Sequence, residues 1–111
     1  MRVQLLSASA DLDVRLSLPD LASAICIKAL AYRGRYADKD AVDLWRLMAA
    51  AHRAGLTPDA WPTTRTARAA ALVLSRFFAA PSGSGLPQVS ASRRDQAHMR
   101  ALTRAVVGLA T

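Results

Sequence analysis

Lys28, Arg33, Lys39, Asp40 and Asp43 stand close together in a stretch that is otherwise largely apolar. Their types and spacing suit the binding of a phosphate-bearing ligand. Asp40 and Asp43 are three residues apart, which makes them neighbours on one face of a helix. Lys39 and Asp43, four apart, can pair directly. Lys28 belongs to the preceding helical pattern and projects from its apolar face. If the two helices fold back on one another, Lys28 approaches the Asp43 face. An ammonium fixed beside a carboxylate is what a triphosphate site uses: a held positive charge for the phosphates and an acid that positions it. The same residues also admit a plainer reading. Lys39 and Asp43 would then be an ordinary surface pair, and Lys28 would snorkel from an apolar face.

Two elements must position these groups. A helix over 21–33 carries Leu21, Ala24, Ile25, Lys28, Ala29 and Tyr32 at helical spacing, with Asp20 as its cap and Gly34 as its stop. Arg33 and Arg35 flank that glycine. A second helix over 39–54 is capped by Asp38, and Asp40 suits its electropositive start. Ala41, Leu44, Leu47, Met48 and Ala51 form its buried stripe, and Gly55 ends it. Together they make a helical hairpin over 20–55.

The segment resembles a motif of the AbiEii-type nucleotidyltransferases, the abortive-infection and toxin–antitoxin enzymes of the polymerase-beta-like superfamily. The likeness is carried by Lys28-Ala-Leu-Ala-Tyr-Arg33, then Lys39-Asp40-Ala-Val-Asp43-Leu44, with Leu18-Pro19-Asp20-Leu21-Ala22 similar to the strand-to-helix entry that precedes them. It covers about residues 12–55. The resemblance implies that Lys28 contacts a nucleoside triphosphate and that Asp43 is its essential acidic partner, the pair being the catalytic residues on this side of the site. It implies supporting, nucleotide-binding roles for Arg33, Lys39 and Asp40. It also implies magnesium, and transfer of a nucleotide to an RNA, a tRNA among them, or to a protein.

The family's metal site needs a Gly-Ser or Gly-Gly turn followed by Asp-x-Asp or Asp-x-Glu on a strand, whose carboxylates hold the magnesium ions. Only Ser7-Ala-Ser9-Ala-Asp11-Leu12-Asp13 offers a counterpart. Asp11 and Asp13 share a strand face as metal ligands would, without the glycine and much nearer to Lys28 than the family's layout places them. The polar side of an alternating strand accounts for them equally. The expectation is a C-terminal portion of such an enzyme, truncated or split, retaining the triphosphate side and inactive alone. Its partners would be the missing N-terminal half, a cognate antitoxin or RNA.

The remainder of the chain sets the expected fold class, mainly α with a small β part (α+β). Asp11 to Leu18 alternates polar and apolar residues, with Leu12, Val14, Leu16 and Leu18 on one face, and residues 2–8 form a weaker strand. These predict an N-terminal β-hairpin or strand pair over 1–18, followed by four helices in a single domain spanning 1–111. Thr57 to Pro62 is a linker or a single helical turn. Thr63 or Thr64 caps a third helix to residue 80, with Ala67, Ala70, Ala71, Leu74, Phe77 and Phe78 inward. Residues 81–90 read as a flexible loop. Ser92 and Asp95 form a capping box for a last helix whose stripe is Met99, Leu102, Val106 and Leu109.

Composition narrows the function classes. Hydrophobic residues are 52% of the 111-residue chain but aromatics only 5%, so small aliphatic side chains must build the core by close helix packing. A net charge of +7 favours anionic partners. Arg65, Arg68, Arg76, Arg93, Arg94, Arg100 and Arg104 offer basic stripes for nucleic acid, although without interleaved aromatics for base stacking. The single Cys26 excludes an internal disulfide, suits a cytoplasmic setting and sits as a small buried hydrophobe. With no second cysteine, and with His52 and His98 isolated, a zinc site is not expected. Trp45 and Trp61 read as core or interface anchors. No apolar run has transmembrane length. Two further readings stand beside the nucleotidyltransferase: a non-enzymatic helical interaction module, and a small basic nucleic-acid binder.

Overall fold

Helices bury the apolar stripes here, and alanine sets how closely they approach. A computed structural model describes residues 17–108 of the chain. In chain order, α1 is Leu18–Arg35, α2 is Asp38–Ala54, and a 3-10 turn covers Pro58–Ala60. Next, α3 (Arg65–Leu74) runs directly into a π-helical turn, Ser75–Ala79. The short α4 (Leu86–Val89) and the longer α5 (Arg93–Val106) complete the fold. Helix α1 packs on α2 and α3, α2 also packs on α4 and α5, and α5 closes over the π turn.

The α+β expectation is corrected: the described residues hold helices and no strand. Ser17 and Leu18, the last residues of the expected strand pair, begin α1 instead. Ser17 Oγ accepts from the Asp20 amide while the Asp20 carboxylate reaches back to Ser17, a capping box, and Pro19 occupies the first turn. The rest of the strand pair falls on residues 1–16, outside the described residues.

The core is continuous. Leu21, Ile25, Ala29 and Tyr32 of α1 meet Ala41, Leu44, Met48 and Ala51 of α2, and Ala67, Ala70 and Leu74 of α3, all buried. Met99, Leu102 and Val106 fill the side covered by α5. Leu109, the last residue of that expected stripe, lies outside the described residues. The expected breaks at Gly55 and Thr64 are in place. Gly55 takes a left-handed φ of 95° as the α2 C-cap, and Thr64 Oγ1 accepts the Ala67 amide at 3.1 Å. Ser92 caps α5 through the Asp95 amide, but Asp95 turns its carboxylate to Ser90. Three local expectations differ. Asp20, expected as the cap of the first helix, is its third residue, and the N-cap is Ser17. Gly34 lies inside α1, which stops only at Tyr36, a left-handed C-cap with φ 49°. Asp38 is the first residue of α2, and the N-cap is Ala37, which offers no side-chain bond.

The segment read as a flexible loop is packed. Gly83, Gly85, Leu86 and Val89 are buried, and the Gly85 amide donates to the Phe77 carbonyl at 3.1 Å. A Cβ on Gly85 would stand 2.5 Å from the ring of Phe78, which is wholly buried.

Opposite outcomes are therefore expected for two glycine-to-alanine changes. Gly85→Ala should destabilise by about 1–3 kcal/mol, because a caged ring must move. Gly34→Ala, inside a helix with open space around it, should stabilise by about 0.5–1 kcal/mol. Urea unfolding midpoints of the two variants should lie on either side of the parent's; equal midpoints would contradict the packing described.

Candidate functional site

Asp40 lies in the first turn of α2, where unpaired backbone amides favour an anion. Its side chain is 1% exposed, so it needs partners. Arg35 supplies a two-pronged contact, Nε to Oδ2 at 2.8 Å and Nη2 to Oδ1 at 3.0 Å. Lys28 Nζ reaches the same Oδ1 at 3.4 Å and Asp43 Oδ2 at 3.0 Å. Two cations on α1 thus hold two carboxylates on α2.

The expected approach of Lys28 to Asp43 across the helical hairpin is present. Lys28, Asp40 and Asp43 come together. Arg33 and Lys39 do not: both are exposed, and Asp43 pairs with Lys28 rather than with Lys39. Arg35 takes the place expected of Arg33. The misplaced helix end hid it, since a stop at Gly34 leaves both arginines equivalent. With α1 continuing through Arg35, that side chain folds over the start of α2 from five residues away. Asp11 and Asp13 lie outside the described residues.

The electrostatics limit the chemistry. The Arg35 hydrogen bond holds the Asp40 carboxyl below the usual carboxylate range, against the opposing effect of burial. The bond to Asp43 holds the Lys28 ammonium above its usual value. Asp40 and Lys28 therefore keep their charges near neutrality, and fix charge rather than trade protons. Cys26 is no nucleophile, for burial pushes its thiol up. Magnesium does not fit these groups. Both Asp40 oxygens already face cations, and no group of three or more histidine, cysteine or acidic residues that could hold a metal exists among the described residues. An anion does fit. An ammonium has three donors, two of which point to Asp40 and Asp43, and the Lys28 side chain remains 27% exposed.

A second polar assembly fixes the turn between the helices. Gln88 of α4 accepts the Tyr32 hydroxyl, and its amide donates to the Tyr36 carbonyl at 2.6 Å and to Asp38 Oδ1 at 2.9 Å. Trp45 Nε1 donates to His98 Nδ1 at 3.1 Å, tying α2 to α5, while Trp61 donates to the Ala67 carbonyl at 3.1 Å. His98 therefore serves as a bridge between helices rather than standing isolated.

Asp40→Asn should destabilise at neutral pH by about 1–3 kcal/mol, the cost of weakening a buried charge-assisted contact. A depressed carboxyl stabilises fully above its unfolded pKa of about 3.9, and that contribution is lost as pH falls through the lower folded value. The raised Lys28 contributes fully below about pH 10.4 and loses its effect as pH climbs through its folded value. Thermal midpoints of parent and variant should therefore converge in acid; parallel curves down to about pH 2 would refute the assignment.

Among the described residues, no helix is long and apolar enough to cross a membrane. Comparison with known protein-family models, with curated proteins and with solved structures finds no match.

Proposed function

We propose that the chain is an AbiEii-like nucleotidyltransferase domain that contributes the triphosphate side of the site. Lys28 anchors a phosphate oxygen through its outward N–H, and Asp43 holds that ammonium in place. Asp40, neutralised mainly by Arg35, fixes the helix from which Asp43 projects. The observation that supports this reading is the Lys28 ammonium, held at 3.0 Å from Asp43 with a donor left over and an open side. In a full site of this kind, an acceptor oxygen attacks the α-phosphorus and pyrophosphate leaves. The sequence offers Asp11-Leu12-Asp13 without the Gly-Ser turn and spacing of the family's metal motif, so these residues bind the nucleotide without turning it over alone.

One observation favours a second reading, a non-enzymatic helical interaction module. The charges of Lys28, Arg35, Asp40 and Asp43 sum to zero, which is what a clamp between two helices requires. A nucleotide titration separates the two. Calorimetry with magnesium-loaded ATP and GTP should detect binding, and Lys28→Met should weaken it about tenfold or more, the value of one charge-assisted hydrogen bond. A folded parent that takes up neither nucleotide at millimolar concentration would leave the module as the reading.

A further inference from the structure

Tyr36 is the one non-glycine residue at positive φ among the described residues. A helix stop of this kind is normally glycine or asparagine, because a side chain there costs about 1 kcal/mol or more. A large aromatic at such a position needs a reason beyond ending the helix. The residue remains 51% exposed. It stands edge-on to Tyr32 at 5.3 Å and to Phe77 at 5.6 Å, so it is held in one orientation at the surface. The π turn brings Phe77 there and also places the Arg76 guanidinium 5.6 Å from the centre of the Phe77 ring. Arg76 is exposed and has no carboxylate partner among the described residues. Arg33, one turn before Tyr36 on α1, is likewise exposed and unpaired among them. Aromatic and cationic groups interleave here, although the linear sequence keeps Tyr36 and Arg76 far apart.

We infer that the surface formed by Tyr36, Phe77 and Arg76 binds single-stranded nucleic acid, stacking an unpaired base on the Tyr36 ring while Arg76 and Arg33 meet the backbone phosphates. A held, half-exposed ring flanked by unpaired arginines is the arrangement that such binding uses. Charge favours the same occupant, since the chain carries +7 overall. The surface does not include Lys28, so the inference stands apart from the triphosphate site.

The test is fluorescence anisotropy of a labelled oligouridylate of about twelve nucleotides, with the whole chain. Binding should weaken as salt rises, fall about tenfold in Tyr36→Leu, fall in Arg76→Gln, and persist in Tyr36→Trp. On the parent protein, the Tyr36 ring protons should shift on adding the oligonucleotide, which keeps the test decisive if a variant fails to fold. Several results would overturn the inference: no binding at submillimolar protein, equal affinity in Tyr36→Leu, or preference for the duplex. Equal competition by heparin, a polyanion without bases, would do the same and assign the face to acidic partners generally.

Discussion

A carboxylate with almost no contact with water sits at the joint of the helical hairpin, and the hairpin geometry follows from satisfying it. Asp40 is placed there by the start of α2, so its charge must be met from α1. Only a helix that continues past Gly34 brings Arg35 within reach, and only a tight turn at Tyr36 and Ala37 lets the chain reverse in time. Lys28 completes the arrangement from two turns earlier. Removing one partner of a buried ionic cluster is costly because the other is left without compensation, so the cluster specifies one register of α1 against α2. That makes it a strong organiser of geometry, whatever it adds to net stability.

The turn is also braced from a distance in the chain. Gln88 links Tyr32, the Tyr36 carbonyl and Asp38, so α4 closes over the joint. The same Tyr32 ring lies 5.6 Å from Phe77 and 5.1 Å from Phe78, which ties the π turn to the end of α1. Polar and aromatic contacts thus converge on the few residues between the two helices. The charged cluster and the aromatic group that holds the exposed Tyr36 ring both adjoin this joint.

Helical periodicity carried most of the architecture. The stripes through Leu21, Ile25 and Ala29, through Leu44 and Met48, and through Met99 and Leu102 are the buried ones, and Gly55 and Thr64 punctuate as their chemistry requires. The N-terminal segment misled for a physical reason. An alternating run up to Leu18 claims Ser17 for a strand, yet Ser17 with Asp20 three residues on, and Pro19 between them, is a helix start. Residues 81–90 misled because glycine, serine and proline signal a loop whether it waves in solvent or packs. Here Gly85 is small because the Phe78 ring needs the room, and Gly83 because the Phe77 backbone passes where a side chain would stand. In the cluster, Lys28, Asp40 and Asp43 were legible from spacing. Arg35 was not, since it depends on where the helix ends, and a tyrosine in the left-handed region is not a stop that sequence patterns announce. Arg76 and Phe77 are neighbours in the sequence, but their placement beside Tyr36 arises from tertiary folding alone.

The alanines of the hairpin carry a burden that their chemistry conceals. Ala29 and Ala41 are fully excluded from solvent on the contacting sides of α1 and α2. Side chains this small let two helices lie near the short end of their usual separation. A lysine has fixed length, so the distance between helix axes decides whether its head group touches the opposite acid or hangs short of it. The spacing of the ionic cluster is thus encoded in methyl groups that never meet a charge, and a valine at either position would act as a wedge on the electrostatics from inside the core.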